Sequence, residues 1–101
     1  MDDTNLRVSL VEKRGETSIF IDAEIDDEGR LVVSGQDIGR APKEFWGDSD
    51  YEYWVIIPPE EKDKLLLALI ELVYKDDLYL VSKFRDFLSQ KGIKRESGSW
   101  V

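Results

Sequence analysis

The chain has 101 residues and carries 22 acidic against 14 basic side chains, a net charge of −8. That length fits one domain, able to bury about two-thirds of its unfolded surface around a single core. Cysteine and histidine are both absent, which excludes disulfides, thiolate and imidazole metal sites, thiol catalysis and every Ser-His-Asp or Cys-His triad.

Hydrophobic residues make up 42% of the chain, the composition of a folded protein rather than a charged disordered tail. The longest apolar stretch, Leu65–Tyr74, is interrupted by Glu71 and falls short of the roughly 18 residues of a membrane helix. The opening residues Met1-Asp2-Asp3-Thr4-Asn5 are acidic and polar, not the basic start and apolar middle of a secretory signal. The expectation is a cytoplasmic protein. An excess of acid opposes binding to nucleic acid, whose affinity rests on Lys and Arg. It opposes adhesion to anionic membranes for the same reason, and it suits a basic protein partner.

Residues 6–13, LRVSLVEK, alternate. Leu6, Val8 and Leu10 point one way and Arg7 and Ser9 the other, the period of a half-buried strand. After Arg14-Gly15-Glu16, residues 17–26, TSIFIDAEID, alternate again, with Ile19, Ile21, Ala23 and Ile25 inward and Asp22, Glu24 and Asp26 outward. Asp27-Glu28-Gly29 forms a second turn, its glycine free to take positive φ. Residues 30–36 form a third strand and 51–57, YEYWVII, a fourth, with a loop over 37–50 between them. Short turns join the first three strands, which predicts an antiparallel meander. Phe20, Val11, Val32 and Trp54 fall out of phase with the inward sets and are candidates for the second sheet face.

Pro58-Pro59-Glu60-Glu61 changes the period, because proline and acids suit the first turn of a helix. Leu66, Leu69, Ile70 and Val73 then share one helical face. Asp76-Asp77 ends this helix and caps the next. Leu80, Val81, Phe84, Phe87 and Leu88 form a second stripe, which Gly92 stops. The polar tail ends in Trp100-Val101 and is expected to fold back, as a short edge strand. Strands followed by helices predict a single α+β domain over residues 1–101: an antiparallel sheet of four to five strands with two C-terminal helices packed on one face.

Two patterns, one acidic and one glycine-based, invite a chemical reading. Asp22, Glu24, Asp26, Asp27 and Glu28 resemble a hard-cation site. As an EF-hand loop from Asp22, however, the sixth position is Asp27 instead of glycine and the twelfth is Val33 instead of glutamate. A solvated strand face is the better reading. Gly35-x-x-x-Gly39 lacks the Gly-Lys-Ser/Thr and the following helix of a phosphate loop. No catalytic residue, metal or cofactor is expected.

Gly35-Gln36-Asp37-Ile38-Gly39, then Asp50-Tyr51-Glu52-Tyr53-Trp54, then Leu65–Ile70 and the tail from Gly92-Ile93 to Trp100 resemble a family of small, mostly uncharacterised bacterial proteins. The resemblance covers most of the chain and implies a shared fold with no established activity. This tail, Lys-Arg-Glu-Ser-Gly, is less aromatic than the family's. Some small acidic bacterial proteins serve as immunity partners of toxins, an analogy of type and not of motif.

The stretch 35–54 reads first as structure. Gln36 and Asp37 end the third strand, Gly39 permits the turn, and a buried Glu52 would need Arg40 or a tyrosine hydroxyl as its partner. As a binding surface, the candidate residues are Asp37, Arg40, Glu44, Phe45, Trp46, Asp48, Asp50 and Glu52. Aromatic anchors ringed by charge suit contact with a basic protein. The expected function is thus a non-catalytic acidic protein-binding module, immunity-type or regulatory, existing as a monomer or weak homodimer. The alternatives are a carboxylate- or divalent-metal-dependent enzyme and a self-associating structural domain.

Overall fold

Four strands form one antiparallel sheet in sequence order in the computed structural model, which describes residues 6–39 and 50–99. The strands are β1 (Arg7–Lys13), β2 (Thr17–Ile25), β3 (Leu31–Gly39) and β4 (Asp50–Ile57). A short 3₁₀ turn at Pro59–Glu61 leads into α1 (Lys62–Tyr74), and α2 (Leu80–Gln90) follows. This is the expected α+β class, with strands first and helices after. The chain divides into a sheet unit ending at Leu65 and a helical unit starting at Leu66.

Residues opposite one another on antiparallel strands share a face, so the register sorts the sheet unit. One face carries Ile19, Ile21, Ala23 and Ile25 of β2 against Asp37, Gly35, Val33 and Leu31 of β3. These in turn stand opposite Tyr51, Tyr53, Val55 and Ile57 of β4. The other face is mixed: Phe20, Asp22 and Glu24 face Gln36, Ser34 and Val32, which face Glu52, Trp54 and Ile56. Phe20, Val32 and Trp54 thus lie on the second face, as their phase implies. Every residue of the central strand β2 is half-buried.

β1 departs from its simple alternation. Its register against β2 shifts between Ser9 and Val11, leaving Leu10 as an extra residue. Such a bulge reverses the phase of the strand. Val11 therefore stands opposite Ile21 on the apolar face, in step with Val8 opposite Ala23, while Leu10 has no cross-strand partner. β3 also runs further than its third-strand pattern suggests. Gln36, Asp37, Ile38 and Gly39 pair with Phe20, Ile19, Ser18 and Thr17, so Gly39 sits inside the ladder instead of in a turn. Continuous pairing with β2 outweighs the glycines' low strand preference.

The β2–β3 turn is held by Asp26. Its side chain accepts the backbone N–H of Glu28 at 3.0 Å and of Arg30 at 2.9 Å, and the Arg30 Nε–H at 2.8 Å. These bonds favour the ionised carboxylate and lower its pKa, the Arg30 N–H foremost. Gly29 supplies the required φ of 76°.

In the helical unit, Asp76 takes a left-handed φ of 65° after α1. Asp77 accepts the Tyr79 N–H at 2.9 Å and the Lys83 ammonium at 2.8 Å, so it braces the turn before α2 but does not cap that helix, whose N-cap is Tyr79 with no side-chain cap bond. The Lys83 bond is the main reason the Asp77 pKa falls below the usual carboxylate range. Tyr74 and Phe84 meet edge to face, 5.9 Å between centroids, and tie α1 to α2. Gly92, with φ 66°, ends α2 as its position implies. Residues 93–99 form no strand; Trp100 and Val101 lie outside the described residues. No described residue reaches full burial, and Leu66, Leu69 and Val73 of the α1 stripe are exposed. Among the described residues, no helix is long and apolar enough to cross a membrane.

Candidate functional site

The motif stretch 35–54 contributes to both faces of the sheet, and the two faces differ in kind. On the apolar face, Tyr53 lies across Gly35, its cross-strand partner. A Cβ at residue 35 would stand 2.4 Å from Cε2 and 2.6 Å from Cζ of that ring, so only glycine admits it. The Tyr53 hydroxyl donates to Asp37 Oδ1 at 2.7 Å, two residues further along β3. Asp37 holds the phenol's proton in place, and with partial burial this pushes the Tyr53 pKa up to about 12. Tyr51 stacks beside Tyr53 at 5.4 Å, tilted by 37°. Gly39 closes the stretch with φ 126°, and a Cβ there would stand 2.1 Å from the Glu16 carbonyl oxygen. The Gly-Gln-Asp-Ile-Gly and Asp-Tyr-Glu-Tyr-Trp motifs are thus two halves of one clasp between β3 and β4.

The other face carries a cleft of about 190 Å³. It is lined by Phe20 and Asp22 of β2, Ser34 and Gln36 of β3, Glu52 and Trp54 of β4, and Arg7 of β1. Arg7 donates to Asp22 and forms an ion pair with it. That pairing, helped by Glu24 opposite Arg7, raises the Arg7 pKa. The Arg14 guanidinium sits 5.2 Å over the Phe20 ring. Trp54 is 65% exposed although it lies in a strand, which is unusual for the largest apolar side chain. Glu52 is exposed as well, so the partner that burial would have demanded is not required, and the tyrosine hydroxyl of Tyr53 is given to Asp37 instead.

The candidate residues therefore separate. Asp37 lies on the apolar face beside Tyr53, whereas Asp50 and Glu52 lie on the cleft face opposite Ile38 and Gln36. Arg40, Glu44, Phe45, Trp46 and Asp48 lie outside the described residues. Of the acidic run at 22–28, Asp22 is engaged by Arg7 and Asp26 by Arg30. Among the described residues no group of three or more carboxylates stands together as a metal site. Sequence reasoning does not bring Arg7, Ser34 or Gln36 to the cleft. The strand parity that places them there becomes readable only once the bulge and the register are known.

Charge is divided unequally along the chain. The segment up to Leu65 holds seventeen acidic and eight basic side chains, a net of −9, and the remainder holds five against six, a net of +1. In the helical unit, a groove of about 390 Å³ between α1 and α2 is almost wholly apolar, lined by Leu66, Leu69, Ile70, Val73, Tyr74, Phe84 and Phe87. No protein-family profile, curated protein or solved structure matches the chain.

Proposed function

We propose that the chain is a non-catalytic protein-binding module, immunity-type or regulatory, that acts in the bacterial cytoplasm by engaging a basic protein partner. The observation that supports this reading best is the exposed Trp54 beside Glu52 in a cleft of a sheet unit with a net charge of −9. An aromatic anchor within a field of one sign is the composition of a contact surface. The Trp54 face also suits a cation from the partner, since an indole attracts Lys and Arg.

The test is capture of partners from the native host by the full chain, at low and at high salt. A basic protein retained at low salt, released at high salt, and lost on Trp54→Ala or on Glu52→Lys is the expected outcome. Capture that is indifferent to salt and to both substitutions would refute the reading.

A further inference from the structure

Among the described residues the sheet ends in two edge strands, β1 and β4, and the backbone of an edge can pair with any strand that fits. The two edges are not alike. β1 is broken by its bulge at Leu10 and carries Arg7, Glu12 and Lys13, the features that blunt an edge. β4 keeps an unbroken register with β3 from Asp50 opposite Ile38 to Ile57 opposite Leu31. Its segment Tyr53-Trp54-Val55-Ile56-Ile57 has no charge, no proline and no glycine, a composition strongly disposed to strand pairing. Trp54, Val55 and Ile56 are exposed by 65%, 59% and 40%.

We propose that β4 is a strand-pairing edge whose occupant is the antiparallel β4 of a second copy of this chain. The acids of the strand, Asp50 and Glu52, both lie in its first three residues, and its far end is neutral. Antiparallel self-pairing therefore sets the acidic end of one copy against the neutral end of the other. Cross-strand partners must share a face. Centred on Tyr53, the pairing places Glu52 opposite Trp54, Asp50 opposite Ile56 and Tyr51 opposite Val55. Centred on Trp54, it places Glu52 opposite Ile56 and Tyr53 opposite Val55. Neither register opposes two acids, whereas in-register parallel pairing would align them, which is destabilising.

The geometry also closes. A β4–β4 contact is isologous and leaves the bulged β1 at both outer edges, so assembly stops at two copies. A β1–β4 contact would be head-to-tail and open-ended, and the bulge opposes it. This inference stands apart from the partner-binding proposal, and salt separates the two. Each copy carries −8, so screening strengthens the self-pairing while it weakens capture of a basic protein.

The experiment is sedimentation of the full chain at low and high salt, for the wild type, Val55→Lys in β4 and Val8→Lys in β1, with far-UV circular dichroism to confirm folding. The wild type is expected to dimerise, more strongly at high salt. Val55→Lys should be monomeric at concentrations where Val8→Lys is dimeric. Both substitutions lower the net negative charge equally, so a difference between them reports the edge. Hydrogen exchange of the wild type supplies a readout that needs no substitution: alternate β4 amides between Tyr53 and Ile57 should slow as protein concentration rises. A wild type that is monomeric at both salts, a dimer that survives Val55→Lys, or β4 exchange independent of concentration in a dimerising sample would each overturn the proposal.

Discussion

Replacing Gly35 with alanine tests whether the two motifs form one clasp. The added methyl would lie 2.4 Å from Tyr53 Cε2 and 2.8 Å from its hydroxyl oxygen, well inside van der Waals contact, so the ring must move. Overpacking of this kind costs about 2 kcal/mol. If the ring swings away, its hydroxyl bond to the Asp37 carboxylate is lost as well, a further ~1.5 kcal/mol for a half-exposed charged acceptor. Removing a glycine from a strand returns about 0.7 kcal/mol. The expected net loss is about 2 to 3 kcal/mol, measured by urea unfolding followed by far-UV circular dichroism. The decisive measurement is the double-mutant cycle with Tyr53→Ala. Once the ring is gone, Gly35→Ala should be neutral or slightly stabilising, because only the glycine term remains. A Gly35→Ala cost that is the same with and without Tyr53 would show that the ring is not what excludes a side chain at residue 35.

The Tyr53 phenol should ionise near pH 12, read as tyrosinate absorbance, and Asp37→Asn should bring it down toward the ordinary value of about 10. The sign follows from a pKa raised in the folded state: the stabilisation is complete below the unfolded value and is lost as pH rises through the folded one. Gly39→Ala should be more damaging than Gly35→Ala, with a total loss upwards of about 3 kcal/mol. The obstacle there is the Glu16 backbone carbonyl at 2.1 Å, which cannot rotate aside as a ring can, and φ is 126°. Thermal melting of the two glycine variants side by side checks the order; a milder Gly39→Ala would refute it.

Much of the fold is legible in the residues themselves. The alternation of Ile19, Ile21, Ala23 and Ile25 gives β2 its apolar face. The Asp-Asp-Glu-Gly turn, the Pro-Pro-Glu-Glu helix start and the Gly92 stop each follow from local chemistry. What escapes is non-local. Leu10 looks like one more inward residue until pairing with β2 shows it to be an inserted one, and from that point the phases of Leu10 and Val11 exchange. By its residues the third strand ends at Gln36, because Asp37 and Gly39 suit a turn, yet Thr17 and Ile19 across the ladder hold both in the strand. The candidate site suffers similarly. Asp37 and Glu52 read as neighbours in one acidic stretch, but register places them on opposite sides of the sheet. The cleft around Trp54 needs Arg7 from β1 and Gln36 from β3, and no local signal connects those positions.

The contact among Gly35, Asp37 and Tyr53 also bears on inheritance. A lineage that trades the glycine for a larger residue must first shed the aromatic ring opposite, and a lineage that sheds the ring leaves the carboxylate with no phenol to anchor. The order of change therefore matters: a side chain at residue 35 is tolerated more readily in a chain that has already lost the ring at 53.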